Sequence, residues 1–402
     1  MIRFIIRNIC RPLAAWTFIL FLACSCSGRF KSLPSQSPCH KIAGQDQWDG
    51  AFAGVSGWTG GDVAASFIIP GNRALWVFGD SFIGEIEDGR RINSTLVNNT
   101  IAVHPYDPSH PGQAPEDRQV KYYWGPNDAN GKPTAWVRPS EAGGAKTWYW
   151  PTGGGVVLPG PEDGSKLALF LIELEKKPGD NSVWGFQVIH DAVAMVDNVD
   201  APVEQWRPCV REISADPAIE WGVAALMSSS PDYVLIYGTK LDASKNRNLV
   251  LGRVKPSEFE NFSAWEFLGP DGQWLKSQDR AEPIVKGIAS ELSVDKITDQ
   301  SGGMHLVMVY SEPPLGNRIM IRTSLNPEGP WSEAMPVFTV TETGQGKALF
   351  VYAAKGHAPL SENGTLLVSY IVNSNDFNEL VEDFALYRPR FISVPLKALG
   401  IR

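Results

Sequence analysis

The stretch GWTGGDVAASFIIPGNRALWVFGDSFIG, residues 57–84, decides how this sequence is interpreted. Two apolar runs, Asp62–Ile69 and Ala74–Gly79, flank a Pro-Gly-Asn turn, a pattern typical of a β-hairpin. A hairpin folded about Gly71 opposes residues whose numbers sum to about 142, and Asp62 and Asp80 are such a pair. Directly opposed residues on antiparallel strands have Cβ atoms about 4.5–5.5 Å apart. The hairpin therefore predicts two carboxyl groups held side by side at its open end.

The register of this hairpin decides whether the two carboxyl groups meet. A turn of even length would shift the pairing by one residue and put them on opposite faces, and the sequence does not fix the turn type. Paired carboxyl groups flanking a bond are what glycoside hydrolysis requires. The alternative interpretations are that Asp80 only caps the turn after a strand and that Asp62 is an exposed residue where a strand begins. We favour the functional interpretation because cross-strand placement makes coincidence less plausible.

Composition and charge limit the class of protein. The chain has 402 residues, of which 43% are hydrophobic and 20% charged, as is ordinary for globular proteins. The formal net charge is −8, and loss of residues 1–23, which hold three arginines and no acid, would leave −11. An acidic chain without a basic stripe is not expected to bind nucleic acid. The 14 tryptophans and 18 phenylalanines supply core residues and flat platforms on which sugar rings can stack.

The N-terminus has the pattern of an export signal, residues 1–23, followed by a tether, residues 24–50. Three arginines precede the apolar run Leu13–Ala23, which is too short to span a bilayer. The sequence Phe21-Leu22-Ala23-Cys24 is similar to a bacterial lipoprotein cleavage box, which would make Cys24 a lipidated N-terminal residue. Simple cleavage and secretion is the alternative. We therefore expect an exported protein, either secreted or held at the outer membrane or cell surface by a lipid.

The cysteines add little chemistry to this picture. Export would place Cys39 and Cys209 in an oxidising compartment, where they could form a disulfide. No Cys-x-x-Cys or Cys/His cluster has metal-ligand spacing. The sequence thus predicts no cofactor, and it offers no specific support for a structural cation.

Residues 51–402 carry a repeated β pattern and are expected to form one domain. A short β-rich run is followed by a second one, with Gly, Pro, Asn and Asp between them. The first runs are Ala74–Phe78, Leu167–Leu171, Tyr233–Tyr237, His305–Tyr310 and Thr365–Tyr370. Their partners are Leu96–Val103, Phe186–Val196, Asn248–Val254, Arg318–Thr323 and Phe391–Leu396. Five such units predict an all-β fold, a five-bladed β-propeller, with a pair of β-sandwiches as the alternative.

In a propeller the residues that begin the innermost strands face the central channel, so these positions are the candidates for a site. The candidate carboxylates are Asp62, Asp80 and Glu291, and the candidate sugar-binding residues are Trp58, Trp150, Trp221 and His357. Each has a structural alternative. Glu291 could lie on a surface strand, His357 could be a hydrogen-bonded structural residue, and the three tryptophans could pack between blades. The long segment 104–146 could cover the pocket mouth, or it could be an excursion without a function.

Two runs at the start of the domain carry a family resemblance, Trp58-Thr59-Gly60-Gly61-Asp62 and Leu75-Trp76-Val77-Phe78-Gly79-Asp80-Ser81-Phe82. They resemble the opening blade of secreted bacterial five-bladed propellers long classed as domains of unknown function, of the DUF4185 type. One branch of these is similar to endo-D-arabinofuranases. Further matching runs are Trp148-Tyr149-Trp150-Pro151, Glu291-Leu292-Ser293-Val294, Gly329-Pro330-Trp331-Ser332 and Ser369-Tyr370 with Asn373. The resemblance implies that Asp62 and Asp80 are the catalytic pair. Related furanose-cleaving propellers draw a further acid from a later blade, for which Glu291 is the counterpart.

The sequence thus predicts an exported glycoside hydrolase that acts on a furanose-containing polysaccharide, arabinan-like and in one reading D-arabinan. The expected partner is that polysaccharide, with membrane contact only through an N-terminal lipid anchor. A non-catalytic carbohydrate-binding propeller is the alternative. A sialidase-like enzyme is a third option, and its carboxylate clamp would have to come from Arg318, Arg322, Arg388 and Arg390.

Overall fold

The computed structural model describes residues 42–139, 147–180, 185–214, 216, 218–229, 232–343 and 348–402. These residues form an all-β domain, with 51% of them in strands and 11% in helices. The all-β prediction is therefore confirmed. Two helices of six residues each are present in the described ranges, α1 (Asp46–Ala51) and α2 (Phe377–Glu382). No helix in the described ranges is long and apolar enough to cross a bilayer.

The strands form antiparallel sheets that follow one another along the chain. Sheet I contains β3 (Ala65–Ile69), β4 (Arg73–Phe78), β7 (Thr100–Pro105) and β8 (Lys121–Tyr123). A three-stranded side sheet contains β2 (Ser56–Gly61), β5 (Ser81–Glu87) and β6 (Arg90–Val97). Sheet II contains β9 (Thr147–Pro159), β10 (Ser165–Lys176), β11 (Phe186–Val196) and β12 (Cys209–Ser214).

Three further sheets complete the domain. Sheet III contains β13 (Ile219–Met227), β14 (Val234–Leu241), β15 (Arg247–Val254), β16 (Glu266–Leu268), β17 (Trp274–Leu275) and β18 (Val285–Ile288). Sheet IV contains β19 (Leu292–Thr298), β20 (Met304–Ser311), β21 (Arg318–Ser324) and β22 (Met335–Thr339). Sheet V contains β23 (Leu349–Gly356), β24 (Thr365–Ser374), β25 (Pro389–Pro395) and, on its outer edge, β1 (Ala43–Gly44).

Short 3₁₀ turns punctuate the connections between these strands. They cover Asp117–Gln119, Pro161–Asp163, Val203–Gln205, Pro256–Glu258, Phe262–Ala264, Pro270–Gly272, Gln278–Arg280, Ala358–Leu360 and Leu396–Leu399.

The hairpin of β3 and β4 has the register that the sequence predicts. Ala65 pairs with Val77 and Ile69 with Arg73, so that opposed residue numbers sum to 142. The loop has three residues, Pro70–Asn72, which is the odd length that the predicted register requires. Gly71 and Asn72 both adopt positive φ, at 78° and 54°, which glycine and asparagine accept more readily than other residues.

The first strands of sheets I to V, which are β3, β9, β13, β19 and β23, lie next to one another in order. β9 contacts β3 and β13, β19 contacts β13 and β23, and the Ser66 hydroxyl bonds to His357 Nδ1 at 2.7 Å to link sheets I and V. Glycines allow the closest approach, since a Cβ on Gly154 would lie 2.1 Å from the carbonyl oxygen of Gly222. The five first strands are therefore neighbours in the order β3, β9, β13, β19 and β23. The number of propeller blades stays a prediction.

The predicted strand pairs correspond to the second and third strands of sheets II to V. In the first unit the predicted single strand Leu96–Val103 is wrong, because the chain changes sheet there. β6 ends at Val97 in the side sheet, and β7 begins at Thr100 in sheet I. Asn98 and Asn99 lie between these two strands, at the point where the chain passes from the side sheet to sheet I. This break matters for the site, because it places Asn98 beside Asp80.

Segment 104–146 adds an outer strand and packing residues to sheet I. Tyr122 on β8 stacks on Trp58 with ring centroids 4.7 Å apart and planes inclined by 10°. Trp136 packs against Trp206, with centroids 6.5 Å apart. The described part of the segment, residues 104–139, is therefore a packed layer on the outside of the domain.

Candidate active site

Asp62 follows β2 and precedes β3, in a turn whose next two residues, Val63 and Ala64, have φ of 63° and 48°. Asp62 lines a cavity that the other candidate acids share. Its Oδ2 accepts hydrogen bonds from the hydroxyl groups of Tyr352 at 2.5 Å and Tyr387 at 2.9 Å. Its Oδ1 is buried and has no hydrogen-bond partner among the described residues. A carboxylate with one unpaired buried oxygen is disfavoured, so this environment favours the neutral acid.

Asp80 lies between β4 and β5, beside Asp62. Its Oδ1 accepts hydrogen bonds from Trp150 Nε1 at 2.7 Å and from Asn98 Nδ2 at 3.2 Å. Gly79 comes just before it, and a Cβ there would lie 2.3 Å from Asp62 Oδ1, so only glycine leaves room for the pair. Each acid accepts two hydrogen bonds at one oxygen, and these bonds favour the ionised form of both. What distinguishes Asp62 is that the charges of Asp80 and Glu291 also act on it.

The two acids differ in their proton affinity. Burial, the charge of Asp80 and the charge of Glu291 together raise the pKa of Asp62 to about 8. Burial raises the pKa of Asp80 to about 6, against the hydrogen bonds from Trp150 and Asn98, which lower it. The two carboxyl groups titrate as a coupled pair, because a negative charge on one raises the pKa of the other. Near neutral pH it therefore holds one proton and one negative charge, with the proton favoured on Asp62.

Glu291 precedes β19, on the same cavity. Its Oε2 accepts a hydrogen bond from the ammonium group of Lys355 at 3.0 Å. The lysine side chain is 1% exposed and the glutamate side chain 22% exposed. Burying an ammonium group is costly unless a partner of opposite charge is present, so this ion pair fixes both side chains.

One cavity of about 510 Å³ joins these residues. The carboxyl groups of Asp62, Asp80 and Glu291 lie on its wall together with an ion pair, in which Arg247 Nη2 donates to Glu220 Oε1 at 2.7 Å. The remaining wall is mainly apolar and aromatic, with Trp150, Phe186, Leu174, Val223, Phe350 and Leu315. Acids set into a largely apolar concave surface are the usual form of a small-molecule or sugar site.

Of the four predicted sugar-binding residues, Trp150 lies on the cavity and also holds Asp80. Trp58 and Trp221 do not. Trp58 is 1% exposed between Phe78 and Tyr122, and Trp221 is fully buried and donates from Nε1 to Gln278. The prediction that these two rings bind sugar is wrong, because both pack inside the domain.

His357 is also misassigned as a binding residue. It is 1% exposed, its Nδ1 bonds to the Ser66 hydroxyl at 2.7 Å, and its Nε2 bonds to the Ser369 hydroxyl at 2.8 Å. Burial lowers the pKa of His357 to about 3, so the ring is neutral and links sheets I and V. It lies at the C-terminal end of β23. The cavity is built by the opposite end of that strand, where Phe350 and Tyr352 lie.

Four further residues contribute to the site without having been predicted from the sequence: Tyr352, Tyr387, Asn98 and Lys355. Tyr387, which has a φ of 59°, follows α2 and reaches Asp62 from 325 residues away. Lys355 left a signal, since it is the only charged residue in the apolar strand LFVYAAKG, and such a charge requires a partner.

Tyr387 is held in place by a buried arginine. The guanidinium group of Arg91, 2% exposed, donates to the carbonyl oxygens of Thr59 at 2.9 Å and Leu386 at 2.8 Å, and also to that of Leu380. Arg91 therefore ties the segment after α2 to β2, whose next residues lead into Asp62.

The arginines considered for a carboxylate clamp lie elsewhere. Arg318 pairs with Glu312, and Arg322 donates to the Tyr310 hydroxyl and the Ser332 carbonyl. Arg388 lies over the Phe384 ring, and Arg390 faces Asp49 at 3.6 Å. None of the four lies on the cavity wall as described. The sialidase-like option is therefore wrong in its arginine set.

Some predictions concern residues outside the described ranges. Cys24, Cys39 and the proposed export signal fall there, so lipidation and a Cys39–Cys209 disulfide stay predictions. Cys209 is exposed on β12. Among the described residues no group of three or more His, Cys, Asp and Glu side chains is arranged to hold a metal ion.

Comparison with known proteins gives a family and a fold. A solved structure of a "putative hydrolase" from Bacteroides ovatus superposes with a TM-score of 0.69 at 18% identity, covering 88% of this chain and 90% of that one. An α-L-arabinofuranosidase from Podospora anserina superposes with a TM-score of 0.41 at 10% identity, covering 84% and 91%. A xylan β-1,4-xylosidase from Bacillus halodurans gives 0.41 at 12%, covering 80% and 50%.

The first of these structures shares the fold of this chain, and the other two superpose too weakly to carry an argument. No curated protein matches the chain. A family model covers residues 45–395 and differs from the DUF4185 type that the sequence motifs resemble. The chain therefore belongs to the family described as Domain of unknown function (DUF5005).

Proposed function

We propose that this protein is a glycoside hydrolase whose sheets I to V are the blades of a five-bladed β-propeller. The observation that carries the proposal is the meeting of Asp62, Asp80 and Glu291 on one cavity, with the pKa of the first two raised. Hydrolysis of a glycosidic bond needs one carboxylic acid and one carboxylate at neutral pH. A carbohydrate-binding protein has no need to hold two acids in this costly state.

The two acids take different roles in the proposed reaction. Asp62 is the acid, because it keeps its proton to about pH 8, and it protonates the leaving oxygen as the anomeric C–O bond breaks. Asp80 is the carboxylate, which attacks the anomeric carbon or removes a proton from the attacking water. Trp150 and Asn98 occupy Oδ1 of Asp80, which leaves Oδ2 for this step.

The proposed substrate is a neutral polysaccharide. The unpaired charge on the cavity wall is the carboxylate of Asp80, because Asp62 holds its proton and Glu291 is paired with Lys355. The cation of the wall, Arg247, is already paired with Glu220 at 2.7 Å. A carboxylated sugar would meet repulsion there. The aromatic wall suits the C–H faces of a neutral ring. Furanose residues, as in arabinan, are the preferred class because of the resemblance that the first-sheet motifs bear to arabinofuranases.

The proposed setting is outside the cytoplasm. The support is the sequence pattern of residues 1–24, which favours an exported protein anchored through Cys24 or secreted after cleavage. Mass spectrometry of the N-terminal peptide from the native host tests this part. A diacylated Cys24 supports the anchor, whereas an uncleaved Met1 overturns export.

The experiment that tests the function is a substrate screen with matched variants. Purified protein is incubated with arabinans, fructans, galactofuranans and, as a pyranose control, xylan, and products are separated by chromatography. We expect cleavage of a furanose polymer by the wild type and a loss of at least about 100-fold in Asp62→Asn and Asp80→Asn. Asp88→Asn is the control, because Asp88 is exposed in a turn with a φ of 49° that asparagine also accepts.

Binding must be measured on the same variants. Calorimetry with an oligosaccharide is expected to show that Asp62→Asn and Asp80→Asn still bind, since the apolar wall is unchanged. Equal binding by wild type and variants, with no product from any polymer, would identify a carbohydrate-binding propeller and overturn the enzyme proposal.

A further inference from the structure

The wall of the cavity carries an ion pair that the proposed reaction does not use. Arg247, at the start of β15, donates from Nη2 to Oε1 of Glu220 on β13 at 2.7 Å and from Nη1 to the Thr239 hydroxyl at 2.8 Å. Both members of the pair line the cavity, with 25% of the Arg247 side chain and 16% of the Glu220 side chain exposed. The pair is therefore partly desolvated but open to a ligand that enters the cavity.

The ladder of sheet III fixes where these groups lie. Ile219 and Trp221, on either side of Glu220, are buried, so the strand alternation places Glu220 on the opposite face. Thr239 pairs with Glu220 across the ladder and is fully buried. It anchors the guanidinium group of Arg247 from β14, the strand between β13 and β15. The two charged groups are thus preorganised, which lowers the entropic cost of binding a ligand between them.

Stability alone accounts poorly for this ion pair. The wall around it is apolar, with Val223, Leu174 and Phe186. Exchange of a buried ion pair for apolar side chains of similar volume is often neutral or stabilising, because the charged groups have to give up their hydration. An ion pair set into an apolar cavity wall is therefore better explained by a ligand that makes hydrogen bonds to it.

The remaining hydrogen-bonding capacity of the pair matches neighbouring hydroxyl groups. Among the described residues, Arg247 uses two of the five N–H donors of its guanidinium group, and Oε2 of Glu220 accepts no hydrogen bond. A hydroxyl group both donates and accepts, so one hydroxyl oxygen can accept from Arg247 while the next hydroxyl donates to Glu220. Hydrogen bonds to charged partners are about twice as strong as those between neutral groups. Because the two charges of the pair cancel, the arrangement suits a neutral polyhydroxylated ligand better than an anion.

We propose that Arg247 and Glu220 together bind two neighbouring hydroxyl groups of a neutral sugar residue and form a specificity-determining subsite on the sheet III side of the cavity. Asp62 and Asp80 lie on the same cavity beside sheet I, so a chain that occupies the cavity meets the acids and the ion pair through different groups. The inference rests on the proposed function for its choice of a sugar ligand, but the binding itself does not require hydrolysis.

The same strand offers a matched control pair. Arg253, near the end of β15, faces Glu266 on β16 at 2.9 Å, and their side chains are 23% and 28% exposed. Neither residue is among those that line the cavity. Arg253→Met and Glu266→Gln therefore remove an ion pair of similar length and exposure from sheet III without touching the proposed subsite.

The test measures binding in the Asp80→Asn protein, so that no trisaccharide is cleaved during calorimetry. The probes are arabinotriose and the corresponding trisaccharides of the fructan and galactofuranan in the screen. We expect Arg247→Met and Glu220→Gln each to weaken binding of the preferred trisaccharide about 10-fold or more, and the two control variants to change it less than about 2-fold. In the otherwise unchanged enzyme the same two substitutions should raise KM more than they lower kcat.

Monodeoxy analogues of the preferred trisaccharide identify the contact. An analogue that lacks a bound hydroxyl should bind about 10-fold more weakly than its parent to the Asp80→Asn protein, but as well as its parent once Glu220→Gln or Arg247→Met is added. Losses that simply add, or equal effects of the control and cavity variants, overturn the proposal. Should Arg247→Met not fold, Glu220→Gln decides by the same comparison.

Failure of this inference and failure of the proposed function give different results. A protein that cleaves no polymer but shows the expected losses with the cavity variants and the deoxy analogue contradicts the hydrolase and supports the subsite. A protein that cleaves a polymer with unchanged KM in Arg247→Met and Glu220→Gln supports the hydrolase and contradicts the subsite. If neither the wild type nor Asp80→Asn binds any of the trisaccharides, the subsite is excluded.

Discussion

The backbone amide of Asp62 donates a hydrogen bond to the carbonyl oxygen of Asp80 over 3.3 Å. The amide of Gly79 returns one to the carbonyl of Asp62 at 3.2 Å. The two acids are thus joined through their main chains, beyond the end of the β3–β4 ladder. Their proximity does not depend on side-chain rotamers, so substituting one carboxyl group should leave the other in place.

We expect the activity to have a bell-shaped pH dependence. The acid limb reports ionisation of Asp80, with a pKa of about 6, and the alkaline limb reports loss of the proton from Asp62, with a pKa of about 8. Both values belong to the pair. Initial rates of kcat/KM from pH 4 to 10 test this, and a rate still rising above pH 8 would contradict the role given to Asp62.

Asp62→Asn should stabilise the fold while it removes activity. Between pH 4 and 8 an unfolded aspartate has lost its proton, whereas folded Asp62 retains it, so the stability of the wild type falls as pH rises through this window. Asparagine does not titrate, so the variant does not lose this stability as the pH rises. Because Asp62 is half-buried, we expect a gain of about 1–3 kcal/mol at pH 8.

The gain should be smallest below about pH 3, where the unfolded aspartate is protonated like the folded one. Thermal unfolding at several pH values measures it, with Asp88→Asn as the exposed control. An advantage of Asp62→Asn that shrinks with rising pH would refute the assignment of the raised pKa.

Tyr352→Phe should move the alkaline limb of the pH profile toward higher pH. The hydrogen bonds from Tyr352 and Tyr387 lower the pKa of Asp62, so removing one hydroxyl group raises it further. The pH profile of Tyr352→Phe is therefore expected to extend to higher pH, and that of Tyr387→Phe to do so by a smaller amount. Movement of either limb toward lower pH would mean that the hydroxyl groups do not stabilise the carboxylate.

Trp150→Phe should affect the acid limb alone. The phenyl ring can keep the contact with Phe186, whose centroid is 4.7 Å from that of Trp150, but it cannot donate to Asp80. The pKa of Asp80 rises when this donor is lost, so the acid limb is expected to move above pH 6. Trp148→Phe is the matched control, since Trp148 Nε1 has no hydrogen-bond partner among the described residues. Equal shifts in the two variants would exclude the hydrogen bond as the cause.

Two adjacent arginines should differ strongly in their effect on stability. Arg91→Met leaves the carbonyl oxygens of Thr59, Leu380 and Leu386 without their donor, and we expect a loss of at least about 3 kcal/mol. Arg90→Met removes an ion pair with Glu382 whose side chains are more than half exposed, so its cost should be below about 1 kcal/mol. Urea unfolding of both variants measures this difference. Equal losses of stability would mean that the hydrogen bonds from Arg91 to the three carbonyl oxygens do not stabilise the fold.

The sequence allowed the β3–β4 hairpin to be predicted because its register depends on three local residues, Pro70–Asn72. It allowed Glu291 and Trp150 to be chosen because they begin first strands. The sequence did not show which end of β23 lies at the cavity. The sequence places His357 at the start of a strand, whereas the strand begins at Leu349, so the prediction puts the wrong end of β23 at the site.

The site residues that were not predicted from the sequence have one feature in common, which is that their partners are distant along the chain. Tyr352 and Tyr387 reach Asp62 across 290 and 325 residues, and Arg91 reaches Leu386 across 295. No local periodicity encodes such contacts. Trp58 and Trp221 were misassigned for a related reason, since a tryptophan near a strand end looks the same in sequence whether its indole faces the axis or the next sheet.

The pairing of β1 with β25 has a practical consequence. Ala43 and Gly44 lie against Ser393 and Ile392, and they occupy the outer edge of sheet V. A bare edge offers its free amides and carbonyls to any other molecule that presents a strand. An N-terminal truncation that removes Ala43 and Gly44 would expose the backbone hydrogen-bonding groups of β25. We expect such a truncated protein to dimerise or precipitate more readily than the longer one.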